Sequence, residues 1–401
     1  MTGNMRHKIA LVTYGFTGST FPLAKALMKR GCKVDIYILN YIGFDDLEAF
    51  DCKYVAKNYG IVEIPNSKWH SMYEYLTEDL EGIVRLYSMK MPRPFLTVPV
   101  LRNIISIYTT IYDVKVARFI NSQEYDVINF IGAYFSHNYL PIIKRLTSKV
   151  VFSLHEVCNH NAPDFESPSP LLKYLFNNNV EIVVYSDNSL NHILNYKSVN
   201  RDKIKRLNFG LFDSYKTFPT THNLQLPEEY ILFYGSILPY KGLGILYEAY
   251  KSKKDILPKL VVAGKGHDLC LDEMNEDDRC VVINRRLSNQ EICELINRSK
   301  FVVCPYISMS QSGIPQTVYS FAKPIIASDL DGFKEVVDNN CNGLLFANGD
   351  VAALAQCLVR MATDLDLYKS FTEELSAFES RYPDYAWGNI ADKFISYYIN
   401  C

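Results

Sequence analysis

What is missing from this chain narrows its class before any motif is read. No two of the ten cysteines form a C-x-x-C pair, and none of their spacings suits a metal site. The thiols therefore read as reduced, mostly small core residues of a cytosolic protein. No excess of basic charge exists: 42 Lys and Arg against 44 Asp and Glu leave a net charge of −2. That denies the chain a global field for nucleic acid, and no nucleic-acid partner is expected. The opening residues, MTGNMRHKIALVTYGFTGST, put a basic patch before an apolar run too short for a membrane span. They lack a small-residue cleavage site, so a first strand is the expectation and not a signal peptide. Low-complexity tracts and short repeats are absent as well.

What is present is an alternation. KIALVTYGF (8–16) is a nearly continuous apolar run; Gly15 and Gly18 follow, then an amphipathic stretch, a stop at Gly31 and a second β-rich run. Strand, glycine loop, helix and strand make a βαβ unit, which implies a parallel sheet. YDVINFIGA, SKVVFSLHE and VEIVVYSDN repeat the pattern, each ending in polar or small residues, and ligands of open parallel sheets gather at those carboxyl ends. Residues 213–229, polar and proline-bearing, read as an interdomain linker. The alternation restarts with YILFYGSILPYKG and continues through PKLVVAGKGHD, RCVVIN, KFVVCPY and KPIIASD. The expected organisation is two doubly wound α/β domains in tandem, at 1–212 and 230–383. A final amphipathic helix, 384–401, shows Trp387, Ile390, Phe394, Tyr397 and Tyr398 on one face and is able to dock back on the N-terminal domain.

Two strand-to-helix junctions in the second half carry the chemistry. At FYGSILPYKG the strand ends at Gly235, and Lys241 with Gly242 precedes a helix. An ammonium beside unpaired helix N–H groups favours an anion, with a solvated loop lysine as the alternative. At SQSGIP, Gln311, Ser312 and Gly313 open a second helix, where glycine lets a phosphate approach the backbone and Ser and Gln add donors. Pro315 near the first helical turn loses only an N–H that would have been unpaired. Each charge-assisted bond to phosphate is worth about 1.5 to 3 kcal/mol, so two such junctions on one sheet make a diphosphate seat.

Read in order, LFYGSILPYKGLGILYEAY, KLVVAGKG, VVINRRLSNQEICELINRSKFVVCPY, SQSGIPQTVYSFAKPIIASDLDGFKEVV and NGLLF resemble the donor domain of family 4 glycosyltransferases. The resemblance points to the subgroup marked by Pro-Tyr, then Gln-Ser-Gly, then Lys-Pro. It is strong over roughly 228–360 and holds in outline before that. It implies the GT-B fold, two Rossmann-like domains facing a cleft, with the acceptor on the first and a nucleotide sugar on the second. It also implies transfer of a hexose with retention and without a metal, the nucleotide sugar being a co-substrate of unread base and no cofactor being required. By that resemblance Ser236, Lys241, Gln311 and the backbone of Ser312, Gly313 and Ile314 contact the donor diphosphate. His155, at the strand end in SLHEVCNH, faces the reacting sugar, and the loop of Gly15, Thr17, Gly18 and Ser19 closes the cleft. A purely structural histidine is the other reading of His155.

The chain departs from that family at two points. Ser236 stands where an arginine often follows the strand glycine, and 309–318 contains no acidic residue where two glutamates are common, Gln311 standing in for the first. These gaps keep open a catalytically silent GT-B protein that binds a sugar nucleotide beside a partner enzyme; a sugar-nucleotide epimerase is a third reading. His160 follows His155 by five residues, which turns it about 140° away on a helix and discounts a zinc pair. Asp329 and Asp331 read as turn residues, and GKG at 264–266 lacks the length and Ser/Thr of a P-loop. Arg285 and Arg286 follow another strand end, where they approach the nucleotide or stay solvated. Residues 84–118 hold six basic residues and one acid among aromatics, a composition suited to an anionic membrane surface or to a solvated helix face. The expected setting is cytoplasmic, at the inner face of the membrane, in assembly of a bacterial surface polysaccharide on a glycan or polyprenyl-linked acceptor.

Overall fold

The apolar runs become strands because parallel sheets bury both of their faces, which demands Val, Ile, Leu and Phe at successive positions. The computed structural model describes residues 7–41, 46–47, 50–51, 60–78, 84–91, 99–158, 168–220, 223–309 and 312–399. The chain divides into two compact units, the first made of Met1–Gly210 with Asp384–Cys401 and the second of Leu211–Pro383.

Unit 1 contains β1 (His7–Thr13), β2 (Cys32–Tyr41), β3 (Asp46–Leu47), β4 (Phe50–Asp51), β5 (Gly60–Glu63), β6 (Arg85–Met91), β7 (Val127–Ala133), β8 (Lys149–Glu156), β9 (Glu181–Val184) and β10 (Ile204–Arg206). Eight of these form one sheet in the order β10-β9-β8-β7-β1-β2-β6-β5, while β3 and β4 pair separately as an antiparallel ribbon. Within the large sheet only β5 runs antiparallel to its neighbour. Chain order reverses between β1 and β7, a switch point where the loops after the two strands part and leave a crevice. All seven residues of β7 are buried.

The helix Thr17–Lys29 packs on this sheet and on the last helix, Trp387–Tyr398. Two close approaches admit that last helix. A Cβ on Gly210 would come within 2.5 Å of the Trp387 indole, and one on Gly388 within 2.7 Å of the Arg30 guanidinium. Arg30 in turn donates to both carboxylate oxygens of Asp392, at 2.9 Å each. At the amino ends of the strands, buried Asp35 accepts from Arg85 and from the Tyr125 hydroxyl. Arg85 therefore leaves the basic stretch noted at 84–118 and serves the interior. Lys115 and Arg118 are exposed on the helix Pro99–Asn121, while the side chains of Lys90, Arg93 and Arg102 lie outside the described residues.

Unit 2 holds β11 (Tyr230–Tyr234), β12 (Lys259–Ala263), β13 (Cys280–Ile283), β14 (Phe301–Cys304), β15 (Ile325–Ser328) and β16 (Gly343–Phe346). Their order is β13-β12-β11-β14-β15-β16 and every pairing is parallel. This is the doubly wound order with its switch point between β11 and β14. The stretch 213–229 lies in unit 2: a 3₁₀ turn at Asp213–Thr217 buries Tyr215, whose carbonyl accepts from the Cys293 thiol. Each unit has its own apolar core, around Phe130, Phe152 and Leu175 in the first and around Phe233, Leu246 and Leu358 in the second.

Candidate functional site

The loops that leave β11 and β14 meet at the switch point of unit 2. After β11 the chain passes Gly235 and Ser236, makes a 3₁₀ turn at Pro239–Lys241, and enters the helix Leu243–Lys251 through Gly242. Gly242 has φ of +67°, and a Cβ there would lie 1.9 Å from the Pro305 carbonyl oxygen. Only glycine fits this corner, because both the left-handed backbone and the approach to Pro305 exclude a side chain. The two loops are also joined by Ile307 N–H donating to the Tyr240 carbonyl at 2.7 Å.

Lys241 is half-buried, and its Nζ sits 5.2 Å from the centroid of the Tyr306 ring. A Cβ on Gly235 would meet that Nζ at 3.1 Å and the Ile314 Cδ1 at 3.7 Å, so Gly235, Lys241 and Ile314 converge on one spot. Among the described residues no carboxylate pairs with this ammonium. Burial lowers its pKa below the ordinary lysine value, with the buried Cys304 thiol a smaller opposing influence. An ammonium held away from water without a counter-ion is a receptor for an anion. Ser236, earlier on the same loop, is exposed.

Across from Lys241, the helix Ile314–Ser320 begins at Gly313, which lies so close to Phe212 that a Cβ would meet the ring at 2.7 Å. Phe212 N–H donates to the Gln316 carbonyl at 3.2 Å and holds this turn in place. The Ser312 hydroxyl accepts from Ile314 N–H at 3.2 Å. Gln311 lies outside the described residues. Ser312, Gly313, Ile314 and Lys241 are thus brought together, and Arg285 is not among them. Both guanidinium arms of Arg285 bind Glu291, at 2.6 and 3.0 Å, within the capping box that Ser288 and Glu291 form on the helix Asn289–Arg298. Arg286 is exposed beside it, and its carbonyl accepts from Arg285. Asp329 accepts from the Asn348 N–H at 2.9 Å, and Asp331 lies 3.7 Å from Lys334 on the surface.

One partner of Lys241 was not singled out by the sequence reading. Tyr306 is 3 % exposed, its hydroxyl is buried without a hydrogen-bond partner among the described residues, and its carbonyl accepts from Ser328 Oγ at 2.6 Å. The Pro-Tyr dipeptide marks the residue, but nothing in the sequence says that its ring lies under the lysine. A larger groove of unit 2, about 820 Å³, lies instead at the other end of the helix Ile314–Ser320, lined by Phe218, Asn297, Tyr319 and Phe378 among others.

In unit 1, His155 closes β8 and is 9 % exposed. The rings of Phe16, Phe209 and Tyr185 surround it at 4.2, 4.8 and 5.2 Å, and its Nε2 is 3.2 Å from Ser19 Oγ. This apolar setting pushes the imidazole pKa down to about 3, so it is neutral at physiological pH. Gly15 turns the chain after β1 with φ of +78°, whereas Thr17, Gly18 and Ser19 already form the buried first turn of a helix. At the switch point of this sheet Tyr14, Leu39, Phe135, Ser136, Asn138 and Tyr139 line a cavity of about 30 Å³, with the Phe135 ring 47 % exposed at its rim.

Among the described residues, no cluster of three or more His, Cys, Asp and Glu is arranged to hold a metal ion, and no helix is long and apolar enough to cross a membrane. Residues 228–364 match the family described as glycosyl transferases group 1. An uncharacterized glycosyltransferase of Methanocaldococcus jannaschii is 25 % identical over 152 residues, which span 38 % of this chain and 43 % of that relative. Over the whole chain the solved structures it resembles include a glycosyltransferase from Rickettsia africae (16 % identity, 99 % of both chains, TM-score 0.63). A sucrose-phosphate synthase from Thermosynechococcus elongatus is similar as well (15 % identity, 98 % of this chain and 99 % of that one, TM-score 0.65). So is Anabaena HepE, solved with UDP and glucose (14 % identity, 98 % of this chain and 100 % of that one, TM-score 0.61). Two parallel-sheet Rossmann-like units and these likenesses give the chain the GT-B fold, with a match to glycosyl transferases group 1 over 228–364 of its second unit.

Proposed function

We propose that this chain is a glycosyltransferase that seats a nucleoside diphosphate sugar at the switch point of unit 2 and transfers the sugar, with retention and without a metal, to an acceptor hydroxyl. The observation that carries the reading is the half-buried ammonium of Lys241, without a carboxylate partner among the described residues, beside the Ser312 to Ile314 turn. The match over 228–364 covers the same loops, and a similar structure was solved with UDP and glucose. As the glycosidic bond breaks, negative charge grows on the diphosphate. Lys241 and the turn's N–H groups stabilise that charge more than they stabilise the intact donor, which lowers the barrier. The acceptor hydroxyl enters on the face the diphosphate leaves and passes its proton to a phosphate oxygen, so the configuration is kept and no protein base is needed. His155 of unit 1, neutral at physiological pH, is able to offer a hydrogen bond and not a proton.

The same reading places the acceptor on unit 1, where the exposed Phe135 ring offers a face for a sugar. The acceptor is a glycan or polyprenyl-linked saccharide of bacterial surface polysaccharide assembly. Exposed Lys115 and Arg118 are the described members of the basic stretch that would touch an anionic membrane. The test is a thermal shift of purified protein against UDP-, GDP-, ADP- and CMP-sugars, with Lys241→Ala beside it. Stabilisation by one nucleotide class that disappears in the variant supports the seat; no shift with any donor in folded protein overturns it. The absence of acid from 309–318 favours a second reading, a silent sugar-nucleotide-binding partner. Donor binding with neither transfer nor slow donor hydrolysis would select it.

A further inference from the structure

Three observations around Lys241 fit together in a way that the donor seat alone does not require. First, the ammonium has an aromatic face and, among the described residues, no carboxylate. A carboxylate at that distance would neutralise the charge and compete with any anion, whereas a ring attracts a cation without neutralising it. Second, the Tyr306 hydroxyl is buried with no hydrogen-bond partner among the described residues, an arrangement that ordinarily costs stability. Third, the Ser312 hydroxyl occupies Ile314 N–H, one of the groups the diphosphate is expected to take. Burial raises the pKa of the Tyr306 hydroxyl well above its ordinary value, and the Ser312 hydroxyl, the neighbour that opposes this rise, falls short of hydrogen-bonding geometry.

Tyr306 itself is not free to drift. Its carbonyl is held by Ser328, the Phe333 ring lies 5.3 Å away on one side and Tyr240 6.2 Å away edge-on, and the next N–H, of Ile307, is bonded to Tyr240. A small rotation of the Ser312 side chain is therefore the motion available.

We propose that Tyr306 is the positioning residue of the donor seat: its ring holds the Lys241 ammonium, and its hydroxyl receives the Ser312 hydroxyl when a diphosphate draws Ile314 N–H away from it. The exchange balances. One hydrogen bond, Ile314 N–H to Ser312 Oγ, is replaced by Ile314 N–H to phosphate and Ser312 to Tyr306, and the orphaned hydroxyl gains a partner only when ligand is bound. The ligand class is the diphosphate of a nucleoside diphosphate; a monophosphate reaching only one of the two loops would gain less. This inference rests on the donor seat proposed above.

The test uses the full-length chain and isothermal titration with UDP, GDP, ADP and CDP, the tightest of the four being compared with its nucleoside monophosphate. Tyr306→Phe keeps the ring and loses the hydroxyl, so diphosphate affinity should fall about five-fold, with a smaller change for the monophosphate. Tyr306→Leu removes the ring too and should lose about ten-fold more, part of which Tyr306→Phe restores. In a Ser312→Ala background the added Tyr306→Phe change should have no further effect, because the exchange is already broken. An unchanged diphosphate-to-monophosphate ratio in Tyr306→Phe, or fully additive losses in the double variant, overturns the proposal. Were Tyr306→Leu not to fold, the Phe variant and the double variant would still decide. Lys241→Ala separates the two levels: unaltered diphosphate binding there removes the seat itself, whereas lost binding there with silent Tyr306 variants removes only the exchange.

Discussion

His155 and Lys241 are both ionisable side chains placed where their charged forms are disfavoured, and each makes a different prediction. For His155 the folded pKa is about 3 against an ordinary 6.5. Between those values the unfolded chain binds a proton that the folded chain does not, so stability is full above about pH 6.5 and is lost as pH falls toward 3. The slope is about 1.4 kcal/mol per pH unit, or about 2 kcal/mol from pH 6.5 to pH 5. Urea midpoints at pH 7 and pH 5 should therefore draw apart more in wild type than in His155→Phe, and an equal separation would show that the histidine is not buried neutral. Lys241 has a lowered pKa through burial. The folded state sheds its proton more readily than the unfolded one, so its contribution to stability rises with pH between the lowered value and the ordinary one. Lys241→Met should melt no lower than wild type at neutral pH, while nucleoside diphosphate affinity drops on the order of 10- to 100-fold, as expected for loss of one charge-assisted contact. A variant that melts far lower would assign the lysine to structure and not to binding.

At the scale of elements, the corner between β11 and its helix carries the most constraint. In Gly242→Ala a Cβ would meet the Pro305 carbonyl at 1.9 Å in a left-handed backbone. That backbone alone costs about 1 to 2 kcal/mol for a non-glycine residue. The combined loss should exceed about 2 kcal/mol in unit 2 and displace Lys241, read as a lower urea midpoint together with weakened donor binding. Wild-type values for both would mean that the two loops are not joined as described. The strands on either side of this corner were legible in the sequence. YILFY and FVVC are apolar at nearly every position, and that is the signature of a strand buried on both faces. The edge strand β5, with its exposed Val62 and Glu63, lacks that signature and was not anticipated. That Lys241, Ser312 and Gly313 stand at strand-to-helix junctions was legible, because glycine, lysine and serine at strand ends carry a local meaning. The contact of Tyr306 with Lys241, the tie of Glu291 to Arg285 and the hold of Asp35 on Arg85 were not. Each depends on a partner many residues away, and no local pattern encodes it.

For the whole molecule, two separate cores predict two unfolding transitions. A nucleoside diphosphate at 100 times its Kd should add about 2.7 kcal/mol to the unit that binds it, so only the transition of unit 2 should move in calorimetry. Movement of the other transition alone would relocate the donor to unit 1. The sequence indicated two domains and a final helix able to dock back on the first, but its apolar face alone does not name the partner, which is the helix Thr17–Lys29. The discontinuity of unit 1 bears on how the protein is made. Unit 2 is an insertion between Gly210 and the helix Trp387–Tyr398, and this helix covers the helix Thr17–Lys29. At translation rates of roughly 5 to 20 residues per second, the ribosome needs on the order of 10 to 30 seconds to read through unit 2. Throughout that interval the helix Thr17–Lys29 lacks its C-terminal partner, so the second unit is able to finish folding before the first is complete.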